Sequence, residues 1–227
     1  QNKPEESEYI IPIGGDGLLL RTLHSFNNLN KPFFGINFGS IGFLMNNIID
    51  QDLNETVFNA KKSYFKPLKM TATSLNNEKF EAYAYNEVSL MRQTHLASKI
   101  KIKINNEIKM EELICDGVLV STSAGSTAYN LSAHGSILPL DSNILALTPI
   151  SAFRPRRWRG ALLSETNKIE FNVLDKKDRS SSVTADNVEF RNIERVNIAS
   201  SNENICLVLF DSKHSIEDKI LNEQFNF

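Results

Sequence analysis

The sequence predicts an α/β domain followed by a larger, mainly antiparallel β domain, and three features of its 227 residues carry that expectation. A short apolar run, Tyr9-Ile10-Ile11-Pro12-Ile13, stops at Gly14-Gly15, and Leu19, Leu23 and Phe26 then recur at helical spacing, which reads as strand, glycine loop, helix. After Lys66-Pro67 the apolar period changes from that of a helix to two. Beyond it, Ile100, Ile102 and Ile104 alternate with Lys99, Lys101 and Lys103, and Asn105-Asn106 precedes a return through Ile108 and Met110, so this stretch is a hairpin with one wet face.

In the first domain, Phe33-Phe34-Gly35-Ile36 gives a second strand. A glycine-spaced loop, Asn37 to Phe43, and a helix from about Asp52 to Lys62 follow, and this alternation of types points to a parallel sheet. In the second domain, long strand-like segments cover Lys69 to Leu75 and Lys79 to Met91, with Asn76-Asn77 as the turn between them. Further strands are expected at Lys168 to Leu174, Val188 to Phe190, Arg195 to Ala199 and Ile205 to Phe210, before a polar tail. The expected division is therefore an α/β domain over residues 1–65, short before its glycine loop, a β-rich domain over 66–212, and a tail over 213–227 that packs back on the first domain.

Composition excludes several functional classes. Hydrophobic residues make up 41% and charged residues 23%, the range of globular chains able to bury a core. A net charge of -2 supplies no general attraction to nucleic acid, so an anionic ligand must be held by local groups. No apolar run reaches the roughly 18 to 20 residues of a membrane span, and Gln1 to Glu8 is polar and acidic rather than signal-like. Cys115 and Cys206 lie within apolar strand-like stretches, which favours buried thiols in a reducing, cytoplasmic compartment. The basic stretch Arg154 to Gly160 is short in an otherwise acidic chain and reads as a loop contacting ligand phosphates or a neighbouring subunit sooner than as a single-stranded nucleic-acid surface, and His24, His95, His134 and His214 show no metal-ligand spacing.

Three clusters carry chemistry. Gly14-Gly15-Asp16-Gly17 lies between strand and helix, where glycines let backbone amides approach a phosphate chain and the helix N-terminus favours negative charge. Asp16 would repel phosphate unless it handles a proton or a metal ion, so it points to catalysis; taken alone, the loop reads more readily as a tight turn in which Asp16 caps the helix. It is not a Walker loop, and the dinucleotide fingerprint Gly-x-Gly-x-x-Gly does not stand at its usual place. A second cluster, Asp116 to Ser132, ends a strand in small hydroxyl residues and opens into a helix, presenting amides, hydroxyls and the ring of Tyr129 to a nucleoside; by composition alone it reads equally as a Ser/Thr-rich loop with a helix cap. The third, Asn86-Glu87, is a polar pair on opposite faces of an otherwise apolar strand; Asn can read an adenine edge and Glu can accept from ribose hydroxyls, while a surface pair at a strand bend is the alternative.

In this order and spacing, Gly-Gly-Asp-Gly, Asn-Glu and Gly125-Ser-Thr-Ala-Tyr129 resemble the NAD kinase family. The resemblance extends over nearly the whole chain: Gly35-Ile36-Asn37 through Gly42-Phe43-Leu44 resembles the family's second glycine loop, and Thr148 through Gly160 a segment of bacterial members. It implies a Rossmann-like N-terminal α/β domain, a C-terminal antiparallel β-rich domain of β-sandwich type, and NAD in the crevice between them. It further implies ATP as phosphoryl donor, Mg2+ arriving with ATP, and a homo-oligomer, dimer or tetramer. By the same resemblance Asp16 is the proton acceptor and Gly14, Gly15 and Gly17 form the phosphate loop. Gly17, Arg21, Phe43, Asn86, Glu87, Asp116, Ala124, Thr127, Ala128, Tyr129, Asn130, Leu131, Ser132 and Asp186 are the implied NAD contacts. Leu18 stands where the family usually has Thr and His134 where Gly is usual. Two other readings share features of the sequence: a lipid kinase of the diacylglycerol kinase type, which has the Gly-Gly-Asp-Gly loop, and a catalytically silent NAD- or NADP-binding module.

Overall fold

Apolar periodicity and tight turns divide the chain into short elements. The structure, a computed structural model, describes residues 3–39, 42–47, 52–212, 216–223 and 225. Along it run β1 (Ile13–Gly14), α1 (Asp16–Phe26), β2 (Ile36–Asn37), α2 (Leu53–Phe58), β3 (Lys61–Phe65), β4 (Leu68–Ser74), β5 (Lys79–Ala84), β6 (Glu87–Arg92), β7 (Ser98–Ile104), β8 (Glu107–Cys115) and β9 (Gly117–Ser121). A 3-10 turn (Ala124–Thr127) leads into α3 (Tyr129–Ser132), then β10 (Ile144–Ile150), β11 (Ala161–Ser164), β12 (Ile169–Leu174), β13 (Ser181–Ala185), β14 (Val188–Phe190), β15 (Ile193–Ser200), β16 (Cys206–Phe210) and α4 (Ile216–Glu223). The elements form two compact units, one of Gln1–Lys66, Pro139–Asp141 and Asn202–Phe227, the other of Pro67–Leu138 and Ser142–Ser201.

In the first unit β1 and β2 pair in parallel, extended by parallel bridges from Ile10 to Phe33 and from Phe33 to Val208. Leu19 and Leu23 of α1 are buried, as the helical spacing predicts, together with Phe33 and Phe34. β16 lies antiparallel to β3. The sequence reading assigned Ile205 to Phe210 to the second domain, whereas the structure places it here, because Phe33 N–H donates to Leu207 O and Leu209 N–H to Phe33 O, both at 2.8 Å. The helix expected to Lys62 stops at Phe58: Asn59 closes it with its amide on Glu55 O at 3.1 Å, and Lys61 onward pairs with β16. α4 belongs to this unit and buries Ile220.

One buried polar side chain ties the first unit together. Asn46 is 2% exposed; its Nδ2 donates to Gly35 O (3.0 Å) and Leu209 O (3.1 Å), and its Oδ1 accepts from Asp211 N–H (2.8 Å). Its backbone closes the ladder beside β2, donating to Gly35 O and accepting from Asn37 N–H.

The second unit is two six-stranded sheets, ordered β11-β10-β9-β6-β13-β14 and β5-β4-β15-β12-β7-β8. Alternate residues of both, including Leu68, Met70, Ile100, Phe171 and Val196 from one and Val88, Leu90, Val118 and Val183 from the other, form a single buried core. The wet face of β7 carries the lysines foreseen from the alternation, each paired with an acid: Lys99 with Asp175, Lys101 with Glu111 and Lys103 with Glu170. The segment read as one strand from Lys79 to Met91 is two, and the chain bends at Tyr85-Asn86 so that β5 and β6 join different sheets. No helix among the described residues is long and apolar enough to cross a membrane.

Because Asn46 satisfies two buried carbonyls and one amide, Asn46→Ala is expected to cost about 3 kcal/mol, since an orphaned buried group costs roughly 1–3 kcal/mol. Urea denaturation followed by far-UV circular dichroism reads this directly; an unchanged midpoint would remove Asn46 as the tie.

Candidate functional site

The glycine loop of the first unit ends β1 and starts α1, with Gly15 as the extended N-cap residue and Asp16 in the first helical turn. A Cβ placed on Gly15 or Gly17 would meet nothing within 4 Å, so the protein's own packing does not require glycine at either position. The open space over these amides is what a ligand's anionic chain needs, next to the positive end of a helix. Arg21 is exposed one turn beyond Gly17 on the same helix.

Asp16 is not the cap of its own helix. Its carboxylate reaches across to the turn after β2, where Oδ2 accepts from Phe43 N–H at 2.9 Å and Oδ1 from Leu44 N–H at 3.0 Å. Burial pushes the Asp16 carboxyl above its ordinary value; the Leu44 and Phe43 amides and the Lys219 ammonium of α4 pull the other way without cancelling it. The result is a fixed carboxylate of increased basicity, with one lone pair on each oxygen still available. Phe43, predicted as a ligand neighbour, thus contributes a backbone amide to the site, and its side chain is half-buried.

In the second unit the bend between β5 and β6 has its backbone groups taken up by side chains and loops. Asp186, in the left-handed region at φ 49°, accepts from Tyr85 N–H (2.7 Å) on Oδ2 and from Asn86 N–H (3.0 Å) and Glu87 N–H (3.2 Å) on Oδ1. From the other side Thr122 donates its hydroxyl to Tyr85 O (2.6 Å) and its amide to Asn86 O (2.9 Å). Gly125 is indispensable here, since a Cβ on it would lie 2.3 Å from Asn86 O. Asn86 is therefore presented by a bend built from three loops, and Glu87 by the first position of β6, where that bend ends.

Glu87 Oε2 is buried and has no partner among the described residues. Burial, reinforced by the charge of Asp186, pushes its carboxyl up to about 7. Tyr129, 36% exposed, shares this patch: burial and the charges of Glu87 and Asp116 raise its hydroxyl, which reaches Met91 Sδ at 3.7 Å. Asp116 is held by Arg92 Nε at 2.6 Å. The structure thus groups Glu87, Asp116, Tyr129 and Asp186, with Ala124 and Thr127 in the adjoining turn and Ala128, Leu131 and Ser132 around α3. Asn130 is wholly buried, its Nδ2 donating to Ser126 O and Ser136 O and its Oδ1 accepting from Thr148, so its side chain supports the loop from within. His134, where the family usually has Gly, sits at φ 62°, the left-handed conformation that glycine adopts without strain.

The model of the ATP-NAD kinase C-terminal domain family matches residues 85–210. The NAD kinase of Xylella fastidiosa is 50% identical over 221 residues, spanning 97% of this chain and 85% of that protein. The chain belongs to the NAD kinase family. A second NAD kinase, from Rickettsia felis, is 48% identical over 223 residues, 98% of this chain and 88% of its own length. Among solved structures, a yeast NADH kinase complexed with NADH superposes with a TM-score of 0.83 at 22% identity, covering 99% of this chain and 69% of that one. An NAD kinase from Archaeoglobus fulgidus in complex with ATP gives 0.77 at 23% identity, covering 96% and 83%. Membership of the NAD kinase family removes the lipid-kinase reading. Sequence reasoning missed Asn46 and Lys219, neither of which stands in a motif, and it placed Thr122 in the second cluster without its role in the bend.

Glu87 makes stability depend on pH. Its folded value lies above the ordinary 4.5, so the folded chain holds a proton that the unfolded chain releases, and this contribution is lost as pH rises through about 7. Glu87→Gln is therefore expected to match the parent near pH 4.5 and to be the more stable of the two at pH 8, as measured by denaturant midpoints; a pH-independent difference contradicts this.

Proposed function

We propose that this chain transfers the terminal phosphoryl group of ATP to the 2'-hydroxyl of the adenosine ribose of NAD, giving NADP and ADP, with Asp16 as general base. The observation that carries the reading is the Asp16 carboxylate, fixed by two successive amides and made more basic by burial, at the edge of an open glycine loop. Kinship at 50% and 48% identity to NAD kinases supports the reaction.

In the proposed step the ribose oxygen attacks the terminal phosphorus, its proton passes to Asp16, and the bond to ADP breaks. The amides of Gly15 and Gly17 and the N-terminus of α1 face the phosphate chain. Asn86 and Glu87 hold the adenosine, Tyr129 lies against a ring, and Asp116 and Ala124 complete the contacts. Asp186 and Asn130 act one step removed, through the backbone and loop they support. Magnesium enters with ATP, as part of the MgATP substrate.

The first unit is read as Rossmann-like, supported by the order β1-α1-β2 with β1 and β2 parallel. Self-association into a dimer or tetramer belongs to the same proposal and is supported by exposed sheet edges, notably β11 with Leu162 55% exposed. A cytoplasmic location is supported by the buried thiols Cys115 and Cys206.

A positioned general base contributes about 100- to 10,000-fold, so Asp16→Asn is expected to lose that much turnover while still binding NAD. NADP formation is read through a coupled NADP-specific dehydrogenase and NAD binding by calorimetry. Turnover retained in the variant removes Asp16 as the base; NAD binding without turnover in the parent favours the silent binding module.

A further inference from the structure

We propose that Lys219 of α4 is a positioning residue for Asp16, bracing the Phe43–Asn47 turn that holds the carboxylate and keeping that carboxylate ionised. The inference rests on Asp16 being the base. Lys219 Nζ donates to Met45 O at 3.1 Å and to Asn47 Oδ1 at 2.9 Å. The two residues immediately before Met45 are those whose amides grip Asp16. One ammonium therefore ties the C-terminal helix to the segment that orients the reacting carboxylate, 172 and 174 residues away in sequence.

The second part of the role is electrostatic. The turn itself, Phe43-Leu44-Met45-Asn46-Asn47, carries no ionisable side chain. Its contribution to Asp16 is two amides, and Lys219 is the charge that the described structure brings to bear on the carboxylate. The effect is mutual: burial depresses the Lys219 ammonium, and Asp16 works against that depression. A base must be ionised to accept a proton, so a group that favours the Asp16 anion extends activity toward acid pH.

Three substitutions separate bond from charge. Lys219→Gln keeps a hydrogen-bond donor without charge, Lys219→Arg keeps both, and Lys219→Met keeps neither. The measurement is kcat for NADP formation against pH, with saturating NAD and MgATP, beside Asp16→Asn. Lys219→Gln and Lys219→Met are expected to move the acid limb to higher pH, seen as about a threefold to tenfold loss at the acidic edge of the profile, with KM for NAD unchanged. Lys219→Arg is expected to keep the parent's limb. Lys219→Met alone should also lose turnover at the pH optimum, because the turn loses its brace. A limb that stays put in all three variants while Asp16→Asn is inactive overturns this inference and leaves the base intact. An active Asp16→Asn overturns the base reading and this inference with it.

Discussion

Asp16 sits where a helix N-terminus, a glycine loop and a distant turn meet within one unit, and its two bonds to Phe43 and Leu44 amides decide what the surrounding residues can do. An acidic side chain in the first turn of a helix ordinarily bonds to its own helix's amides and contributes a few tenths to one kcal/mol. Here the carboxylate is turned outward instead, and the turn after β2 supplies its donors. That turn must in turn be held. Asn46, three residues beyond Phe43, anchors it to Gly35, Leu209 and Asp211, and Lys219 anchors it to α4. The placement of β16 and α4 in the first unit thus bears on the Asp16 carboxylate itself.

The second unit uses the same bond for the opposite purpose. Asp186 gathers three consecutive amides, from Tyr85 to Glu87, at the point where the chain leaves one sheet for the other. Its carboxylate is the fastener, and what it presents is the pair of side chains beside those amides. Thr122 and Gly125 close the other side of the bend, one by donating to it and one by having no side chain to intrude. A bend built this way leaves Glu87 Oε2 buried without a partner among the described residues, a cost the rest of the fold must offset.

Local features were legible in the sequence because their causes are local. The Gly14 to Gly17 loop, the burial of Leu19 and Leu23, the Asn76-Asn77 turn and the lysine-faced hairpin all follow from residues within a few positions of one another. What escaped has long-range causes. No glycine or proline marks Tyr85-Asn86, so the apolar run from Lys79 read as one strand; the break comes from Asp186, about a hundred residues on. The helix from Asp52 ended early, and Cys206 to Phe210 changed unit, because each of β3 and β16 has the other as its partner. Asn46 and Lys219 stand in no motif, and their importance lies in bonds to residues up to 174 positions away. The residues that the family resemblance names differ again: the side chains of Asp186 and Asn130 are engaged with the protein, which no local pattern in the sequence announces.

Burial explains why amide donors alone would make a poor base. Two hydrogen bonds from backbone N–H groups stabilise the carboxylate anion and lower its basicity, as does the nearby ammonium. Taken alone they would produce a well-oriented but weakly basic group. Desolvation acts in the other direction and prevails for Asp16, so the same geometry delivers orientation without loss of basicity. The two requirements have different sources: orientation comes from the Phe43 and Leu44 amides, and desolvation from the burial of the carboxylate. Asn46 and Lys219 serve the first by fixing one short segment, and this is why a tie buried beside β2 and a helix late in the chain bear on the carboxylate of a glycine loop near its beginning.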